Sequence, residues 1–225
     1  MAAARTFGRL TVTTPDLDEP GLYLSHVETL ESPRGILQDF TYGGVDLRAL
    51  DIADLRLVTG RVHGVRARQT SFEALNLHNV EFIGSDLGTA RWIEGKLSRV
   101  LVRDCRFLGA ALSGLTLDDV LFERCRFDYA TFDRVRAAGP VAFHECVLTE
   151  SVFTDCDLSG VAFSACTLRL TEFGAGRYRG TDLRGNDLSA VRGVAHLAKV
   201  RIGPGQQSDL AQALVNELGI TVGDG

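Results

Sequence analysis

The chain has 225 residues, 45% of them hydrophobic and 24% charged, and its formal net charge is −5. That acidic balance argues against a general nucleic-acid binder, which carries a basic excess, and no apolar run reaches the roughly 18 residues that a membrane span requires. The first ten residues lack the apolar core of a secretion signal, so a reducing, cytoplasmic setting is expected.

Residues 1–36 are turn-rich, at 13–21 and again at 32–35, and read as an irregular N-terminal lead that caps the repeat. From residue 37 a different order sets in. Every fifth residue is apolar from Leu47 through Ile52, Leu57 and Val62 to Ala137, and, after one inserted residue, from Phe143 to Leu188. Of these 29 centres 22 are Leu or Phe, so the register is not chance. A period of five matches neither an amphipathic helix nor a half-buried strand. It matches a solenoid, whose short units bury their apolar face only by stacking on neighbours. Two residues before each centre the side chain is mostly small, as at Val65, Thr70, Ser85, Ala90, Cys105 and Ala110. One large and one small inward residue per unit fill a narrow tube. The inserted residue falls within 137–141, where Gly139 and Pro140 predict a bulged corner.

Units such as Val45–Ala49, Ser85–Thr89, Cys156–Gly160 and Thr181–Gly185 run small residue, Asp, Leu, then two variable positions. In this pattern the chain resembles the pentapeptide repeat family. The resemblance implies an all-β fold, a right-handed quadrilateral β-helix with four pentads per coil. About seven coils would occupy residues 37–190, followed by a short C-terminal helix. It also implies a bacterial, non-enzymatic, protein-binding rod. The gyrase-interacting members of the family imitate duplex DNA and protect against topoisomerase poisons, so DNA gyrase or another type II topoisomerase is the first expected partner. The chain lacks the projecting loops of the plasmid-type resistance members and is closer to the loop-free type. A scaffold for another protein partner is the alternative.

All five cysteines take the small inward position, and Cys105, Cys125, Cys146 and Cys166 recur once per coil. They predict a stacked column of buried thiols serving as apolar filler. A linear ladder does not converge on one point as zinc ligands must. The spacing brings no nucleophile to a base and forms no phosphate loop. No cofactor, metal or catalytic residue is expected, and no direct nucleic-acid or membrane binding.

The repeat is expected to fail after Leu188, because Asn186 puts a polar side chain at the small inward position. Residues 191–225 form a separate segment. Pro204, Ser208 as N-cap and Gly219 as terminator bracket a helix. Leu210, Leu214 and Leu218 make an apolar stripe on it, and Ile220, Thr221 and Val222 read as a short extended tail. The stripe fits a lid over the last coil and equally a dimer contact. In gyrase-interacting members such elements join two solenoids end to end, so the resemblance implies a possible homodimer.

With centres and small residues inside, any partner reads the other three positions of each unit. Dealing the pentads cyclically to four faces places Asp51, Asp54, Glu73, Glu94, Asp133, Asp155 and Glu172 on one face, against only Arg91 and Arg134. This acidic face is the candidate partner-binding surface, since such a strip attracts a basic surface. The next face carries Arg56, Lys96, Arg99, Arg136, Arg177 and Arg179 against Asp118, Asp119 and Asp157 and is basic on balance. A third face has an apolar column, Leu101, Leu121, Ala142 and Ala162, with Ile83 one coil away. That strip is either an interface or a seat for the N-terminal segment.

Overall fold

A computed structural model describes residues 3–221 and residue 223. The chain opens with an antiparallel hairpin, β1 (Ala3–Phe7) and β2 (Leu10–Thr14). β3 (Ser25–His26) then pairs in parallel with β4 (Ile36–Gly43). The coils continue as β5 (Asp46–Ala53), β6 (Arg56–His63), β7 (Arg66–Glu73), β8 (Asn76–Ile83), β9 (Arg91–Arg103) and β10 (Ala111–Glu123). Shorter strands follow, from Thr131–Asp133 to Gly176–Arg177. Within the coils every pairing is parallel and joins residues one coil apart: Leu57 to Leu77 to Leu97, and Ile52 to Phe72 to Trp92. Four pentads therefore make one coil, and about seven coils stack at roughly 4.8 Å each. The stacking satisfies the backbone, as where Arg66 N donates to Val45 O at 2.9 Å and Asn76 N to Leu55 O at 2.9 Å.

The corners fall two residues past the centres, where the backbone takes positive φ at Asp54 (52°), Asn79 (57°), Asp104 (56°) and Asp155 (52°). Asp and Asn visit this region at lower cost than other non-glycine residues. Arg99, Tyr129 and Leu170 occupy it as well, so stacking overrides local preference there.

The centres are buried, apart from Leu47 and Ala137, which are half-buried. Phenylalanines pile up in columns, Phe132 on Phe153 at 4.5 Å, Phe122 on Phe143 at 4.8 Å and Phe143 on Phe163 at 4.9 Å between ring centres. Each such pair contributes about 0.5–1.5 kcal/mol beyond its area burial. The second inward slot is less uniform than its small residues suggest. It takes Leu55, Leu75 and Leu115, and it narrows to glycine at Gly60, where a Cβ would strike the Phe40 ring. The insertion lies where the sequence places it: Leu117 pairs with Ala137, but Val120 pairs with Val141. The N–H groups of Ala138 and Gly139 both point at Leu117 O, at 2.7 and 3.3 Å, and form the bulge.

Asn186 does not end the stacking. It is buried, its Nδ2 donates to Phe163 O and Leu183 O at 2.9 Å, and its Oδ1 accepts from Cys166 N at 2.7 Å. A polar residue is tolerated because this column faces backbone groups that need partners. Parallel bridges continue to Glu172–Arg192 and Asp182–Arg201. The helix α1 (Gln206–Leu218) starts two residues before Ser208, with Gly205 at the N-cap and no side-chain cap. Ser208 is therefore not the N-cap. It lies in the first turn, where its hydroxyl donates back to Gly205 O at 3.0 Å. The helix start is instead fixed by Gln206, whose Nε2 donates to Leu183 O and Asn186 O at 2.9 and 2.6 Å. Gly219, at φ 63°, ends the helix. Ile220 and Thr221 form no strand, and Val222 lies outside the described residues.

Candidate functional site

The acidic face separates into committed and uncommitted charge. Asp51, Asp54, Glu73, Glu94, Asp155 and Glu172 are exposed. None makes a side-chain hydrogen bond or ion pair among the described residues. Asp54, Glu94 and Asp155 occupy the positive-φ corner position, which turns their side chains outward. Asp133 differs. It is half-buried, accepts the Ser113 hydroxyl at 2.8 Å and pairs with Arg134 at 3.0 Å. Acids elsewhere on the rod are mostly tied down: Asp104 to Arg124 at 2.7 Å, Glu81 to Arg61 at 2.7 Å, Asp157 to Arg177 at 3.1 Å and Asp182 to Arg184 at 2.5 Å. The Arg124 hydrogen bond holds the Asp104 carboxyl below its ordinary range, and Arg184 does the same for Asp182.

Around the next corner the basic face shows the opposite sign. Arg56, Lys96, Arg99, Arg136 and Arg179 have no carboxylate partner among the described residues, while Arg177 is paired with Asp157. The rod thus gathers uncompensated charge of opposite sign on two adjacent faces.

The apolar column is covered. Val12 of β2 is fully buried in one cluster with Leu101, Leu121, Ala142 and Ala162, and Phe7 and Leu10 pack at its edge. Arg5 binds the buried Glu123, Thr13 N donates to Asp119 Oδ1 at 2.8 Å, and the Phe7 ring lies 5.2 Å from that of His144. Ile83 is half-buried outside this cluster. The N-terminal lead is consequently not irregular throughout. Its hairpin was signalled by the two-residue loop Gly8–Arg9 between short β-prone runs.

On the helix, Ala213 is buried and Leu210 half-buried against the end of the rod, and Glu217 accepts from Val194 N at 3.0 Å. Leu214 and Leu218 remain 38% and 62% exposed, with Ile220 beside them at 51%. The stripe is therefore split, with one part turned inward and the other presented to solvent.

All five cysteines are buried and free. The thiols of Cys105, Cys125, Cys146 and Cys166 donate to carbonyls of the preceding coil at 3.3–3.5 Å. Burial raises the Cys105 and Cys146 thiols, and Cys156, in a separate column, is pushed up to about 11. Among the described residues no group of three or more His, Cys, Asp or Glu converges on a metal position. No helix among them is long and apolar enough to cross a membrane.

Residues 141–171 match the family model described as pentapeptide repeats, in 8 copies. No curated protein matches the sequence. Two solved structures of trypsin-treated variants of QnrB1, a plasmid-mediated fluoroquinolone resistance protein, share the fold. The first has a TM-score of 0.52 at 16% identity, covering 90% of this chain and 99% of that one. The second has a TM-score of 0.50 at 16% identity, covering 88% and 95%. The four-pentad coil and the columns of Leu and Phe agree with the pentapeptide repeats matched at residues 141–171 and with the fold of these solved structures.

Proposed function

We propose that this protein is a non-enzymatic, rigid binding rod whose acidic face docks a basic protein surface, with DNA gyrase or another type II topoisomerase as the first candidate. The observation that carries the reading is the set of exposed carboxylates without partners, Asp51, Asp54, Glu73, Glu94, Asp155 and Glu172, aligned along one face. An isolated surface charge means little, but an aligned strip on a stiff scaffold steers and registers an oppositely charged partner. The family resemblance supplies the candidate, and the fold shared with a fluoroquinolone resistance protein points the same way. Protection from topoisomerase poisons in a cytoplasmic setting follows from this reading.

A supercoiling assay with purified gyrase, with and without a poison, tests it. Wild type is expected to inhibit or to protect. A Glu73→Lys/Glu94→Lys/Asp155→Lys variant is expected to act about tenfold more weakly, since each exposed pair contributes about 0.2–1 kcal/mol. Asp133 is omitted because Ser113 and Arg134 already hold it. No effect of wild type removes gyrase as the partner. A variant as active as wild type leaves the partner and removes the face.

The same reading includes a homodimer through α1. Leu214, Leu218 and Ile220 are apolar and exposed on the single chain, as an end-to-end contact requires. Light scattering is expected to give twice the chain mass for wild type and the chain mass for Leu214→Glu/Leu218→Glu. Wild type at chain mass in the high micromolar range ends the dimer reading.

A further inference from the structure

We propose that the basic face carries an oxyanion site, formed by Arg56, His78, Lys96 and Arg99, that takes the phosphate group of a small phosphorylated ligand. This site lies around the corner from the acidic strip and does not depend on that strip's function.

Register brings Arg56, His78 and Lys96 to one outward strip, with Arg99 at the corner that follows Ser98. Arg56 opens β6, Asn76 lies above it in β8, and Lys96 follows in β9. His78 sits between Val58 and Ser98 in the same three strands. Arg99 turns the next corner at φ 52°. Arg56, Asn76, His78, Lys96 and Ser98 line one shallow concavity. Asn76 is spent on structure, its Oδ1 accepting Lys96 N at 3.0 Å and its Nδ2 donating to Ala74 O at 3.1 Å. The cations are not spent. The side chains of Arg56, Lys96 and Arg99 make no ion pair or hydrogen bond with the described residues, and neither does the His78 ring. Elsewhere on the rod Arg61, Arg106, Arg124, Arg126, Arg134 and Arg184 each have a carboxylate within 4.0 Å. Here three unpaired cations surround one half-buried imidazole, and the acids of the next coil on this face are Asp118, in register with Ser98, and Asp119, which accepts Thr13 N.

The electrostatics agree with the geometry. Burial and the charges of Arg99, Arg56 and Lys96 lower the His78 pKa, and no carboxylate opposes them. An anion seated among these groups cancels that repulsion and favours the imidazolium. Guanidinium and ammonium donors from several directions suit a tetrahedral oxyanion better than a planar carboxylate. The recess spans only two coil steps, roughly 10 Å, which matches one or two phosphate groups and not an extended polyanion.

The His78 resonance is the readout, followed by NMR through a pH titration with pyrophosphate as the probe and sodium chloride at equal ionic strength as the control. Pyrophosphate is expected to raise the His78 pKa by about one unit, a tenfold gain in proton affinity. By linkage, pyrophosphate binds about tenfold more tightly as pH falls through that pKa. The variant Lys96→Ala/Arg99→Ala, at one exposed and one half-buried position without side-chain partners, is expected to keep the wild-type melting curve and to lose the pyrophosphate response. The proposal is overturned if the His78 shift with pyrophosphate equals that with chloride, or persists in the double variant. His63 and His144, on another face, serve as internal references that stay unmoved. A negative result here leaves the supercoiling assay intact, since that assay reads the neighbouring face.

Discussion

Phe132→Asp is expected to unfold the coils around residue 132 and to abolish a cooperative denaturation transition. Phe132 is 2% exposed. Its ring stacks on Phe153 at 4.5 Å and meets Phe127 at 5.4 Å and Phe143 at 6.1 Å. Truncating a buried Phe costs about 3–5 kcal/mol, and a carboxylate left in a tube without a polar partner adds several more. A whole domain is stable by only about 5–15 kcal/mol. In a solenoid each coil leans on its two neighbours, so a failed coil removes support from both sides. Phe132→Leu keeps most of the volume and is expected to cost about 1.5 kcal/mol or less. Circular dichroism during urea denaturation separates the two variants. A Phe132→Asp protein with the wild-type midpoint would mean that the ring does not lie in the tube.

The fold was legible because a solenoid writes its geometry into a fixed period. Each centre such as Leu77 or Phe143 must fill the same space as the residue one coil away, so one register locates them all. Asn186 shows where polarity alone misleads. Read as a residue, it looks like a break; read as a member of a column of thiols and hydroxyls, it performs the same backbone hydrogen bonding. The hairpin was hard to see for a different reason. Its strands are five residues long and gain burial only from the surface they lie on, Leu101, Leu121, Ala142 and Ala162. That surface stood out in the sequence as apolar residues in an outward slot, but nothing in the slot names its occupant. The charged faces fell out of counting by fives. Which charges are free did not, because pairing depends on side chains meeting across coils. Asp133 and Asp155 belong to the same face by position, yet Ser113 and Arg134 hold only the first.

The second large effect belongs to Gly95. It occupies the inward slot two residues before Leu97, between Leu75 and Leu115 in the neighbouring coils. Its φ is +130°, a conformation that L side chains rarely adopt. A Cβ there would fall well inside contact distance of the Leu75 carbonyl oxygen, 3.1 Å from the carbonyl carbon and 3.4 Å from the Leu75 nitrogen. All three are backbone atoms held in the ladder, so a side-chain rotation cannot relieve the clash. Backbone strain of about 1–3 kcal/mol and overpacking of about 1–3 kcal/mol act together, and Gly95→Ala is expected to lose roughly 2–6 kcal/mol. Gly160 supplies the control. It also has positive φ, at +77°, but nothing lies within 4 Å of its added Cβ. The equivalent corner position accepts Asp155, Thr59 and Arg99 elsewhere in the rod. Gly160→Ala is therefore expected to cost about 1 kcal/mol, the left-handed penalty less the entropy that alanine saves in the unfolded chain. Thermal melts of the two variants read the difference directly. Equal shifts would mean that backbone angle alone sets the cost and that the Leu75 carbonyl moves aside. A much larger loss at Gly95 means that at this slot the coils touch backbone to backbone.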